Sequence, residues 1–147
     1  MNFLAHIYLS GENKLIQIGN FMADGIRGNN YLNFPKDIQK GIILHRAIDT
    51  FTDAHPIFRK SKHRLHEKYG HYSGVITDIF YDHFLVSYAS FEGLSMIMFQ
   101  MDHRTKNRVD MHLSINELKE FYTEFEEEFT DFFEELQIHC KEKLATL

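Results

Sequence analysis

SINELKEFYTEFEEEFTDFFEELQIHCKEK, residues 114–143, decides the fold. Ser114 followed three residues later by Glu117 has the pattern of a capping box at a helix start. Ile115, Leu118, Tyr122, Phe125, Phe129, Phe132 and Leu136 then recur at steps of three and four. That period places them on one helical face, so the spacing predicts a single long helix from about Ile115 to about Lys143. Aromatic residues at most of these positions suit a globular core better than a coiled-coil seam, which favours Leu, Ile and Val. The acidic run Glu126 to Glu128, with Glu134 and Glu135, reads as the solvated face.

Working back along the chain, VITDIFYDHFLVSYA from Val75 is apolar on most sides and reads as a buried element, so its polar residues need partners. Gly70 to Gly74 reads as a loop and residues 58–69 as a basic helix or helical turn. Pro35 suits a helical first turn, and Ile38, Ile42, Ile43, Ile48 and Phe51 give the helix that follows an apolar side. It should stop near Ala54, because Pro56 disfavours helical geometry at His55. Leu15, Ile18, Phe21, Met22 and Ile26 have helical spacing between Asn13 and Gly28, with Gly25 and Gly28 marking the end. The chain therefore reads as all-α, a single domain of 147 residues.

Composition narrows the function. The net charge of −5 disfavours general nucleic-acid binding, leaving only the basic stretch from Phe58 to His71 as a local cationic surface. The one cysteine, Cys140, cannot form an intramolecular disulfide. The first residues lack the pattern of a signal peptide and no apolar run reaches membrane-spanning length, so a cytoplasmic protein without membrane association is expected.

Residues four apart share a helical face, so His45 and Asp49 can converge, as can Asp49 with Asp53 and Asp78 with Asp82. Imidazole and carboxylates aimed at one point suit Mn²⁺, Fe²⁺, Mg²⁺ or Zn²⁺ rather than thiolate-seeking metals. The plainer reading of His45 with Asp49 is an exposed ion pair. Asp78 and Asp82 favour a metal site, because carboxylates in an apolar element are costly unless paired or metal-bound. His83 reads as a ligand or a satisfied core histidine, Asp24 as a site residue or a turn carboxylate, and His6 as a site or core residue. Arg27 and Arg46 can clamp a phosphate or simply pair with Asp24 and Asp49. No HExxH, P-loop, GxSxG or GxGxxG motif occurs.

MNFLAH, GNFMADGIRG, GIILHRAIDTFTDAHP and ITDIFYDHFL, in this order, resemble motifs of the acyl carrier protein phosphodiesterase family, which is related to the HD-type metal-dependent phosphohydrolases. The segment from His103 to Leu136 also resembles that family's last helix. The stretch between Leu85 and Met101 is shorter than in familiar members, and Asp82-His83 reverses the HD order. The resemblance implies an HD-like helical bundle and hydrolysis of the phosphodiester joining 4′-phosphopantetheine to a serine of acyl carrier protein, with Mn²⁺ as the expected metal. It implies Asp24, His45, Asp49, Asp82 and His83 as metal ligands, with His6 and Asp78 close by; Asp24, Asp78 and His6 are the catalytic candidates. Arg27 and Arg46 would hold phosphate, and Arg59, Lys60, Lys62 and Arg64 would dock the acidic carrier protein. A small nucleotide-type substrate, or a shortened non-catalytic binding protein, are the competing readings. A homodimer is expected.

Overall fold

The computed structural model describes residues 3–85 and 115–147. Among them every regular element is helical: α1 (Phe3–Leu9), α2 (Lys14–Met22), α3 (Lys36–Ala54), α4 (Pro56–Tyr69), α5 (Ser73–Leu85) and α6 (Ile115–Thr146), with short 3₁₀ turns at Ala23–Gly25, Gly28–Asn33 and Gly70–Tyr72. The all-α reading and the long terminal helix both hold. None of these helices is long and apolar enough to cross a membrane. The capping residue Ser114 and the shortened stretch after Leu85 lie outside the described residues.

The chain divides into two compact units, Met1–Ala54 with Phe133–Leu147, and His55–Phe132. In the first, Asn13 caps α2 by accepting from the backbone N–H groups of Leu15 and Ile16. Leu15, Ile18 and Phe21, whose apolar spacing marks α2 in the sequence, point outward rather than into the core, at 43%, 50% and 53% exposed. The buried residues are Ile16, Gly19 and Asn20. Two glycines explain this orientation. A Cβ on Gly19 would lie 2.2 Å from the carbonyl oxygen of Ile38, and one on Gly41 would lie 2.2 Å from that of Ile16. Helices α2 and α3 thus meet backbone to backbone, a contact that only hydrogen side chains permit. On α3, Ile42, Leu44 and Ile48 are buried, whereas Ile43 and Phe51 are half-buried. From α6, Phe133, Leu136 and Cys140 enter this core; burial pushes the Cys140 thiol up to about 12, leaving it inert.

In the second unit, His55 takes the extended geometry expected before Pro56 and caps α4 with its Nδ1, which accepts from the Ile57 N–H at 3.2 Å. Gly70 ends α4 with φ of 52°, a conformation that suits glycine. The Gly70–Tyr72 turn leads into α5 at Ser73, two residues earlier than the loop reading placed it. Phe80, Tyr81, Phe125 and Phe132 are fully buried, with Phe58 edge-on to Tyr81 at 5.7 Å between centroids. The aromatic face of α6 is therefore core, as its composition indicates.

Glu128 departs from the solvated reading of its acidic run. It is buried, accepts from the Ser61 hydroxyl, and receives the Arg64 guanidinium at 2.9 Å. Ser61 also lies 2.8 Å from the Tyr81 hydroxyl. Burial pushes the Glu128 carboxyl upward, but the hydrogen bonds from Arg64 and Ser61 and the charges of Arg64 and Lys60 outweigh it, so its pKa lies below the usual glutamate value. A depressed folded-state pKa contributes stability that is present above the unfolded value and is lost as pH falls through the folded one. Glu128→Gln is accordingly expected to lower stability by about 1–3 kcal/mol at neutral pH. Urea titrations below pH 5 should show the wild type losing more stability than the variant as pH falls.

Candidate metal centre

The candidate cluster lies in the first unit. The α2–α3 crossing brings Asn20 and the Asp24 turn against His45, while α1 lays His6 over it. The His6 and His45 rings stack with centroids 4.0 Å apart and planes inclined by 16°. His45 Nε2 lies 3.0 Å from Asp24 Oδ1 and 3.1 Å from Asp49 Oδ2. Asp49 uses its other oxygen on His6, at 3.1 Å from Nε2. Neither ring nitrogen of buried His6 has a hydrogen-bond partner among the described residues.

Electrostatics tie the group together. Burial disfavours a charged His45, but hydrogen bonding to Asp49 and the charges of Asp49 and Asp24 prevail, raising its pKa above the ordinary histidine value. Burial alone would also raise Asp49; its contacts with His45 and His6 outweigh that and hold the carboxyl well below the usual range. Among the described residues, His6, His45 and Asp49 form the one cluster whose ligand atoms all lie within 4.8 Å of one another. Asp24 stands at its mouth with a side chain 67% exposed.

These residues fit a divalent cation. Two imidazoles and two carboxylates are the mixed donor set such ions take, and contacts of 3.0–3.1 Å match the spacing of adjacent donors around an ion with bonds of about 2.1 Å. Buried His6 supplies independent support, because its ring nitrogens make no hydrogen bond among the described residues and an unsatisfied buried polar atom costs about 1–3 kcal/mol. His6, read from the sequence as lying close by, belongs inside the donor cluster.

Arg46 donates to the carbonyl oxygens of Ile26 and Gly28, each at 2.9 Å, and covers the Tyr31 ring at 5.2 Å. It therefore grips the backbone on either side of Arg27, which is exposed. Asp78, Asp82 and His83 belong to the second unit; His83 lies 2.8 Å from the Tyr122 hydroxyl, and burial lowers its pKa. Asp53 is exposed. Arg64, expected on a docking surface, is turned onto Glu128 and Glu124, whereas Arg59, Lys60 and Lys62 are exposed. A concavity of the first unit, about 530 Å³ and lined by Ile43, Arg46, Thr50, Phe51, His139 and Lys143 among others, includes none of the cluster residues. Sequence reading missed Asn20, which is fully buried with its Oδ1 3.0 Å from His45 Nδ1. Its position four residues before Asp24 on a helical turn was the one available signal.

Comparison with known proteins sets this geometry in a family. The family model for acyl carrier protein phosphodiesterase matches residues 1–87 and 84–136. The chain belongs to the acyl carrier protein phosphodiesterase family. Curated relatives of that name include one from Photorhabdus laumondii, 39% identical over 85 residues, and one from Yersinia pestis, 36% identical over 85 residues. The matches cover 58% of this chain and 43% and 44% of those proteins, so the chain spans less than half the length of the acyl carrier protein phosphodiesterases it matches. No solved structure matches the chain.

Proposed function

We propose that this chain is a metal-dependent phosphodiesterase that hydrolyses the 4′-phosphopantetheine–serine phosphodiester of holo acyl carrier protein, giving apo carrier protein and free phosphopantetheine. The observation that carries this reading is the convergence of Asp24 and Asp49 on His45 Nε2, within 3.1 Å, in a member of this family. His45, Asp49 and Asp24, with His6, are the residues that would hold the ion, and Mn²⁺ suits their nitrogen and oxygen donors. When bound, a divalent cation neutralises phosphate charge and makes water acidic enough to supply a nucleophile near neutral pH.

The chain's own residues do the rest. Asp24, the most exposed carboxylate of the group, would orient water or take its proton. Arg46 fixes the carbonyls flanking Arg27, which leaves the exposed Arg27 guanidinium to hold non-bridging phosphate oxygens. Arg59, Lys60 and Lys62 on α4 offer an acidic carrier protein a surface of opposite charge.

The test is to incubate the purified chain with holo acyl carrier protein and Mn²⁺ and follow phosphopantetheine by mass spectrometry. Release that stops with chelator and returns with Mn²⁺ is expected, with small phosphodiesters cleaved far more slowly. A chain that binds Mn²⁺ yet leaves holo carrier protein intact while cleaving nucleotides would overturn the substrate assignment.

A further inference from the structure

The His45 ring has two nitrogens, and only one faces the carboxylates. What fixes its orientation can be followed proton by proton. The His6 backbone carbonyl is solely an acceptor, and it lies 2.9 Å from the Asn20 side-chain nitrogen, Nδ2. The Ser10 hydroxyl donates to the same carbonyl at 2.7 Å, so its oxygen is left to accept from Asn20 Nδ2 at 2.8 Å. An inverted amide would set its carbonyl oxygen against the His6 carbonyl and lose both donations. Asn20 therefore has one permitted orientation, with Oδ1 facing His45 Nδ1 at 3.0 Å. Amide oxygen only accepts, so the His45 nitrogen opposite it must carry a proton.

We propose that Asn20 is a positioning residue that holds His45 with its proton on Nδ1, so that Nε2 is presented to Asp24, Asp49 and a bound cation. Ser10 and the His6 carbonyl lock the amide in turn, making α1 part of the device. A ligating histidine whose second nitrogen is tied to an acceptor is fixed in direction and is the more basic for it. Asn20 and Ser10 are both buried, as such a relay requires. The metal role of Nε2 rests on the reading under Proposed function, whereas the Nδ1 hydrogen bond does not.

Two measurements separate the two. In the metal-free wild type at neutral pH, ¹⁵N-edited spectra of the histidine side chains should show a slowly exchanging His45 Nδ1 proton. A rapidly exchanging or absent Nδ1 proton overturns the proposal, with no variant needing to fold. In Asn20→Leu that protection should vanish, and Mn²⁺ affinity measured by calorimetry should fall by about 10- to 100-fold. An Asn20→Leu protein that folds and binds Mn²⁺ as tightly as the wild type equally sinks the assignment. If the wild type shows the protected proton but takes up no Mn²⁺, the metal reading fails and Asn20 stands as the residue that sets the ring.

Discussion

Asp49→Asn is expected to reduce kcat/KM for phosphopantetheine release by about 10²- to 10³-fold, and to remove the stabilisation that Mn²⁺ confers. Among the described residues, Asp49 is the one carboxylate seen to touch both imidazoles, reaching His6 with Oδ1 and His45 with Oδ2. The amide keeps its volume but gives up the negative charge, and a neutral oxygen is a poor ligand for a hard cation. Charge stabilisation by a bound ion contributes several kcal/mol to hydrolysis, and each 1.36 kcal/mol is tenfold in rate, which sets the size of the loss. Stability provides a second readout. At Mn²⁺ one hundredfold above its dissociation constant, linkage stabilises the folded wild type by about 2.7 kcal/mol. For a chain of this size that raises the melting temperature by about 5–10 °C. Asp49→Asn should show almost none of this rise. A variant that keeps both activity and the Mn²⁺-dependent shift would remove Asp49 from the site.

Periodicity finds what one element reveals by itself and misses what two elements decide together. The long terminal helix is read from steps of three and four because its buried residues are large and apolar, and α3 from Pro35 and an apolar side of which Ile42 and Ile48 are buried. His45 and Asp49 are found the same way, since four-residue spacing already places them side by side. The orientation of α2 is hidden for the opposite reason. Its contact with α3 is made by Gly19 and Gly41, which carry no hydrophobic signal, so the apolar residues that dominate the pattern lie on the other side. Glu128 is misread as solvated because Arg64, which neutralises it, comes from a helix 64 residues away in sequence. Asn20 has no local mark beyond its four-residue spacing from Asp24. Its partners are the His6 carbonyl, Ser10 and His45, and only the crossing of the helices brings them within hydrogen-bond reach.

That crossing carries the second large expectation, Gly41→Ala. A methyl group on Gly41 would stand 2.2 Å from the Ile16 carbonyl oxygen, 2.7 Å from the Asn20 amide nitrogen and 2.8 Å from the Gly19 Cα. All three are backbone atoms of α2, so no side-chain rotation relieves the clash and the helices must separate. Overpacking of this kind costs about 1–3 kcal/mol, more where the neighbour is rigid. In thermal melts the expected result is a fall of about 3–10 °C. Alanine favours helix over glycine by up to about 1 kcal/mol, so propensity alone predicts the opposite sign. The displacement should also reach the candidate metal centre. Asn20 is the residue next to Gly19, and its 3.0 Å contact with His45 depends on how closely α2 approaches α3. Gly41→Ala should therefore weaken Mn²⁺ binding even though the site lacks no donor. A melting temperature at or above the wild type, with unchanged Mn²⁺ affinity, would show that the helices do not meet as closely as their glycines imply.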